Sequence, residues 1–588
     1  MNLLRRGRLQ GVLTAILFLA TNLPSGQQPA TRSGTSPRDV APRAVEPPSM
    51  NMTPEAAKLF RQASDMIANY EFSKAESVLR RALTLAPNDP ALHHYLGYAL
   101  WKKNDRSGAA TEFKQALRFD SKNAYTLYFL GRIAAEQSNP KRATSYYEAE
   151  SALGNPVYDT YQRLSQAYLQ GGEIEQAERM AQLALRITPW DASLHFLLAR
   201  IYRKMGRLAA AKEEFDASSR LREADQRSIQ DLLEISEAIR DHQPDRIFSI
   251  RKNFLARDPK DPETMNSLGY LLGQAGYFAE AVEPLHIASQ LLPTSFTVQF
   301  NLGYTLMRLG RIEEAETPLK RALELRPDSF DAYSSLGIVY ADQGRPRDAI
   351  EMLKAACHER PEDADALALL GNEYVQTHDP ANAISVLRKA IQLRPETKES
   401  RYLLIQAYQQ KKDYAGALSA AREASRLFPQ DGRFQFEVGD QLASTGHFEE
   451  ALHYAQKSVQ LSPSLIEGFD LIGDLELRRG DYVQALASFQ KARSLAESDF
   501  EALRGLGQTL ILLRRYQEAV AALNDAIQIH AREAELYHEL AQAYTGLGES
   551  DLAAEATAKF RELHSVGTEG KTKGLPHAAA PDVKSPER

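Results

Sequence analysis

Apolar positions along this chain fall into two helical spacings that alternate, and the alternation recurs. Over residues 296–328, Leu302, Gly303 and Leu306 stand at i, i+1 and i+4, while Ala315, Leu319 and Ala322 stand at i, i+4 and i+7. Each set marks one face of a helix, so the stretch predicts two helices in succession. Leu309-Gly310-Arg311 between them supplies the glycine at which a helix can stop and turn. Pro327 closes the second helix, which a proline cannot continue. Stepping by 34 residues from Ala315 lands on Ala281, Ala349, Ala383, Ala417, Ala451, Ala485, Ala519 and Ala553. A second series runs Ala75, Ala109, Ala143, Ala177, Ala211. A fixed period of this length predicts stacked supersecondary units, not a globular enzyme domain.

Neighbouring stretches keep the same residues in the same places. They read Leu268-Gly269, Gly276, Ala281, Leu285, Ala288, Pro293, then Leu336-Gly337, Tyr340, Gly344, Ala349, Leu353, Ala356, Pro361. Leu370-Gly371, Tyr374, Ala383, Leu387, Ala390 and Pro395 follow. This pattern resembles the tetratricopeptide repeat, and it covers nearly all of residues 56–567 in about fifteen repeats. The register divides into an array over 56–221 (about five repeats), a degenerate repeat over 222–261, and an array over 262–567 (about nine). The degenerate repeat has two extra residues, with Ile247 where alanine is expected and Pro259 in its usual place. The resemblance implies an all-α, right-handed superhelical solenoid of antiparallel helix pairs, with first helices lining a concave groove. Terminal repeats lack a neighbour and should be more polar, as Lys559, Arg561 and Glu562 suggest for the last helix.

The ends differ in kind. Arg5, Arg6 and Arg8 precede an apolar run from Gly11 to Ala20, broken by Asn22, Pro24 and Gly26. Residues 1–26 therefore predict a secretory signal peptide; with no clean A-x-A site, an uncleaved N-terminal anchor stays open, and membrane contact is expected only there. Either way the repeats are expected outside the cytoplasm, periplasmic or extracellular. Residues 27–53 and 568–588 are poor in large apolar residues and read as a disordered linker and tail. The stretch Ser565 to Thr572 nearly spells a phosphate loop, but Ser565 replaces its first glycine and no strand precedes it.

With a formal net charge of −6 over 588 residues, no general attraction to nucleic acid is expected. The single cysteine, Cys357, excludes a disulfide framework and reads as a small buried hydrophobe. No catalytic constellation is apparent, and neither metal nor cofactor is called for. His93, His94 and His195 read as surface or packing residues; Glu313-Glu314 and Glu449-Glu450 begin second helices, where negative charge is favoured.

The resemblance also implies which side chains face the groove. These are Tyr98 and Trp101; Tyr125, Tyr128 and Arg132; Phe196, Arg200 and Arg203; Tyr270; Phe300 and Tyr304; and Tyr402. Exposed rings beside arginine are the composition of peptide hot spots, and the alternative is sideways packing between first helices. Tyr270, Phe300 and Tyr304 are expected to form one patch that could be truncated without harming the fold. Tyr168, Tyr202, Tyr340, Tyr374, Tyr408 and Tyr544 occupy the family's core tyrosine place. Further along, the inward places turn acidic at Asp440, Asp470 and Asp474, with Glu437 and Glu467 nearby. This is a solvated face or a selector for basic segments. The expected function is a non-enzymatic scaffold binding polypeptide segments of a protein partner in envelope assembly or export. The alternative is a carbohydrate-binding or accessory subunit of a polysaccharide export or glycosyl-transfer complex.

Overall fold

The structure is a computed structural model that describes residues 52–154, 156, 157, 159–257 and 261–572. The leader, most of the linker, Pro259 and the tail from 573 onward lie outside the described residues. The described residues form helices and no strands, and the chain divides into two compact blocks, residues 1–361 and 362–588.

The first block begins with α1 Pro54–Ala68, α2 Phe72–Leu85, α3 Pro90–Lys102, α4 Arg106–Phe119, α5 Ala124–Glu136, α6 Pro140–Ser151, α7 Thr160–Gly171 and α8 Ile174–Ile187. It continues with α9 Ala192–Lys204, α10 Leu208–Arg240, α11 Pro244–Ala256, α12 Pro262–Gln274, α13 Phe278–Leu291, α14 Phe296–Arg308, α15 Ile312–Leu325, α16 Phe330–Asp342 and α17 Pro346–Glu359. The second block holds α18 Ala364–Gln376, α19 Pro380–Leu393, α20 Lys398–Gln410, α21 Tyr414–Leu427, α22 Gly432–Ser444 and α23 Phe448–Leu461. After these come α24 Ile466–Arg479, α25 Tyr482–Leu495, α26 Phe500–Leu512, α27 Tyr516–Ile529, α28 Ala534–Leu547 and α29 Ser550–Thr572. The near-match to a phosphate loop thus falls within the helix α29.

Three local rules recur along the repeats. Most first helices start at a short polar residue whose side chain accepts the orphan N–H groups of the first turn, as Asp89, Asn123, Asp191, Asp261, Ser329, Asp363, Asp431 and Asp499 do. The turn into the second helix carries one left-handed residue at the same register throughout, whether glycine, as at Gly310 and Gly446, or not, as at Lys412 and Arg514. Inside most pairs the helices meet through the glycine after the first-helix core residue: a Cβ on Gly303 would lie 2.6 Å from Leu319 Cγ. Ala315, Leu319 and Ala322 are fully buried at that crossing.

In four repeats a further clip joins the first helix to the end of its own second helix. Phe296 lies under Arg326 at 3.8 Å, Phe330 under Arg360 at 4.2 Å, and Phe500 against His530 at 4.5 Å, all at equivalent positions. In one repeat the partners are exchanged, with Lys398 at 5.2 Å over Phe428.

The degenerate repeat departs from this plan. Its expected first helix is continuous with the second helix of the preceding repeat, giving the 33-residue α10. Glu223 stands where Pro87 and Pro189 close earlier repeats, and no proline or glycine occurs between Leu208 and His242, so nothing stops the helix. The buried core is interrupted there: one cluster ends near Ile201 and the next begins at Ile235. Ile247, in the alanine place, is fully buried. Cys357 is half-buried, not the fully buried hydrophobe expected from sequence.

Candidate interaction faces of the first helices

Three of the groove candidates are core. Tyr98, Trp101 and Tyr128 are 2%, 6% and 1% exposed. Phe129, on the next first helix, packs against Tyr98 at 5.4 Å and Trp101 at 5.3 Å, while Tyr128 meets Tyr147 at 6.1 Å. The expectation that these rings face a groove is therefore corrected: they pack sideways, because the neighbouring helix also carries a large ring. Tyr128 donates to Asp159 at 2.7 Å, and Arg163 donates to both. Half-buried Arg132 caps the cluster, 4.4 Å from the Trp101 ring, and Tyr125 is half-buried beside His94.

The remaining candidates keep accessible surface. Phe196 is 38% exposed and Tyr270 44%, and Arg200 and Arg203 are exposed. Phe300 and Tyr304 are half-buried and stacked at 5.9 Å, with Phe296 extending the ladder at 5.8 Å. Arg308 donates to Tyr304 at 2.8 Å. Tyr270 stands apart from that ladder, so the expected three-ring patch is a Phe296–Phe300–Tyr304 ladder instead. Both Phe300 and Tyr304 lean on the buried core, so truncating them would also disturb the fold. Tyr402 stacks on Phe434 at 4.0 Å, under Arg433, and donates to Asp431 at 3.1 Å. Among the expected core tyrosines, Tyr168, Tyr340, Tyr374 and Tyr408 are buried, whereas Tyr202 and Tyr544 are half-buried.

The histidines are structural. His94 is buried and bonded to Thr126 at 2.8 Å, and burial pushes its pKa down to about 4. His93 joins Glu112 to the Pro87 carbonyl, and His195 joins Glu214 to the Pro189 carbonyl. These two clips lie three repeats apart at equivalent positions, a recurrence visible in the sequence once the register is known.

In the second block the acidic positions form a connected field and are not simply solvated. On α22, burial, then Asp440 and Glu467 nearby, push Glu437 up to about 7. On α24, burial followed by Asp499, Asp474, Glu501 and Glu467 pushes Asp470 up to about 8, and its Oδ1 is buried with no hydrogen-bond partner. Burial also raises Asp440 and Asp474. Arg504, 2.7 Å from Glu501, partly offsets the field at Asp474. Such a face can accept N–H donors and cationic groups. Among the described residues no group of three or more His, Cys, Asp or Glu is placed to hold a metal ion, and no helix is long and apolar enough to cross a membrane.

Comparison with known proteins agrees with the repeat geometry. Two tetratricopeptide-repeat family models match, one over 60–124, 96–156, 402–466 and 471–535, the other over 158–189 and 192–225. A model of the cilia and flagella-associated protein 70 C-terminal domain matches 254–433. The cellulose synthase operon protein C of Xanthomonas axonopodis pv. citri is 27% identical over 164 residues, which is 26% of this chain and 11% of that protein. The chain thus spans about a tenth of the length of this curated relative. Similar solved structures include the APC/C hetero-tetramer Cut9-Hcn1 (15% identity, 87% of this chain and 94% of that one, TM-score 0.35). Another is PilF of Pseudomonas aeruginosa (23% identity, 35% and 94%, TM-score 0.31). At TM-scores below 0.5 these likenesses add nothing to the assignment, which rests on the repeat's own residues and on the family models. The chain is a tetratricopeptide-repeat protein, built as a long array of such units.

Proposed function

We propose that this protein is a non-enzymatic scaffold that holds polypeptide segments along its first-helix faces, outside the cytoplasm, in cell-envelope assembly or export. The observation that carries this reading is the contrast between two sets of positions recurring every 34 residues. The core set is nearly invariant: Leu302, Leu336, Leu370, Leu404, Val438, Ile472, Leu506 and Leu540. The accessible set, at Tyr304, Ile338, Asn372, Gln406, Asp440, Asp474, Gln508 and Gln542, changes from aromatic to aliphatic, amide and acid and back to amide. Within each block, faces varied in this way on a constant frame suit recognition of extended segments. Export is supported by the basic head and short apolar run of residues 5–20.

A photo-crosslinking amino acid placed at Tyr270 or Asp440 should trap polypeptides in the native extract, and one at exposed Lys491 on a second helix should not. Equal trapping at all three positions would remove the faces from the argument. Residues 1–55 should export a reporter active only outside the cytoplasm, and Leu17→Asp with Leu19→Asp should abolish this; cytoplasmic accumulation of the intact protein would refute the location.

The match to cellulose synthase operon protein C favours a second reading, an accessory subunit of a polysaccharide export or glycosyl-transfer complex. Its mark would be retention on a polysaccharide column that Tyr270→Ala and Phe196→Ala abolish.

A further inference from the structure

We infer that the bare face of α9, exposed where α10 fails to turn back, is a docking surface for an acidic polypeptide segment. This rests on the scaffold reading above and assigns it a place and a partner chemistry. A helix of 33 residues at ~1.5 Å per residue is roughly 50 Å long, against about 20 Å for α9. The part of α10 beyond Arg222 therefore runs past the start of α9 and cannot cover it as the next first helix would. Ser218 Oγ donates to the Ala192 carbonyl at 2.7 Å, which fixes the point of departure.

What the missing crossing leaves open is specific. Phe196, Arg200 and Arg203 stand at i, i+4 and i+7, on one face of α9. The Phe196 ring is held on its other sides by Phe215 at 5.5 Å and by the Arg222 guanidinium at 5.1 Å. Arg200, Arg203 and Lys204 make no ion pair among the described residues, in contrast to Arg311 and Arg345, which are matched to Glu314 and Asp348. Three carboxylates of the adjoining helices are paired elsewhere, Glu214 with His195, Glu178 with Arg207 and Glu223 with Arg227, and the exposed Glu213 and Asp216 of α10 make no ion pair with α9 among the described residues. The surface is thus a fixed ring flanked by unneutralised cations.

Guanidinium groups match carboxylates in a bidentate fork, and an aromatic anchor beside arginine is the composition of an interface hot spot. Arg200 and Arg203 are separated along α9 by about 4.5 Å of rise, with Phe196 about 6 Å before Arg200. An extended segment advancing ~3.3 Å per residue would meet both arginines and the ring with acidic residues spaced one or two apart and an apolar residue following.

The test uses the full chain and a fluorescein-labelled peptide of about twelve residues, rich in Glu with interspersed Leu, read by anisotropy. Saturable binding should appear and weaken with salt. It should fall at least about tenfold in Arg200→Glu/Arg203→Glu and several-fold in Phe196→Ala. Lys491→Ala, on an exposed second-helix position, should bind normally, and a peptide with Lys in place of Glu should not bind. Melting of the double variant should match wild type, since both arginines are exposed. Unchanged affinity in the double variant, or absence of saturable binding, would overturn the inference. So would preference at the same residues for an alginate oligomer, which would make this a polysaccharide surface. If the peptide fails while crosslinkers at Tyr270 and Asp440 still trap polypeptides, the scaffold reading stands and this surface alone falls.

Discussion

Lys412→Gly and Arg514→Gly should each stabilise the second block, although both remove a full side chain. Lys412 and Arg514 have φ of 59° and 60° at the turn from first to second helix, where Gly446 has 83° and Gly548 79°. A residue with a Cβ pays ~1–2 kcal/mol for the left-handed conformation. Glycine escapes that strain but gains freedom in the unfolded chain, which returns about 0.4–1 kcal/mol. The net expectation is a stabilisation of roughly 0.5–1 kcal/mol per site. Neither side chain opposes this, since both are exposed and neither makes an ion pair or hydrogen bond among the described residues. The converse change, Gly446→Ala, should destabilise by a similar amount through the backbone alone, because an added Cβ there meets nothing within 4 Å. Asn104→Gly should be close to neutral, since asparagine tolerates this conformation. A long array need not unfold in one step, so the readout is local. Exchange of the Asp413 and Arg515 amides, bonded to the Tyr408 and Leu510 carbonyls at 2.9 and 2.8 Å, should slow about 2–5-fold. Unchanged or faster exchange in both glycine variants, or a neutral Gly446→Ala, would show that the turns are unstrained.

Trp101→Ala should lower stability by about 3–5 kcal/mol, as loss of a buried indole does; a shift in the urea midpoint equivalent to under ~0.5 kcal/mol would return Trp101 to the surface. The clip between helix ends should be interchangeable: Phe330→Arg should destabilise, and adding Arg360→Phe should recover a coupling of ~0.5–1 kcal/mol, as the exchanged Lys398–Phe428 pair implies. Additive losses in that double-mutant cycle would refute the clip. Asp470 binds its proton more tightly folded, at about 8, than an unfolded carboxyl does, so its ionisation opposes folding. Protection of α24 amides should fall as pH rises from about 5 to about 8, and Asp470→Asn should flatten that slope. A wild-type slope of the opposite sign, or no change in the variant, would contradict the field of carboxylates.

The core is legible in the sequence because each alanine and leucine in the period makes the same contact in every repeat. The period alone puts Ala315 and Leu319 at the helix crossing. The same periodicity misleads at Tyr98 and Trp101, since Tyr98 follows Leu96-Gly97 as Tyr304 follows Leu302-Gly303. Whether such a ring is covered depends on the neighbouring first helix, and Phe129 there closes over the first pair. Strain at Lys412 does not show in the pattern of glycines, although stepping by 34 from Gly310 reaches it. The N-cap residues recur at the same interval, from Asp89 to Asn123 and from Asp363 to Asp431 by way of Thr397, and are legible in the same way. Burial of the acidic positions is not legible, since a row of Asp and Glu on a helix looks alike whether it faces water or its own neighbours.

Where a repeat protein acts is decided by the places at which its repeats disagree. A residue that answers only to the fold meets the same neighbours in each repeat and settles on the same type, as the leucines before Gly303, Gly337 and Gly371 do. A residue freed from that constraint can vary, and it varies here on the first helices, from rings at Phe300 and Tyr304 to carboxylates at Asp470 and Asp474. The largest disagreement is the absence of any helix stop between Leu208 and His242. Sustaining α10 across that interval interrupts the core and leaves Phe196 and three cations without cover, a departure that the fold alone does not require. A break engineered there, Glu223→Pro, separates two explanations. If α10 is long only because nothing stops it, the break should restore a regular repeat and leave partner capture intact. If the bare face is the reason for the long helix, restoring the crossing should bury Phe196 and abolish capture while the array grows more regular.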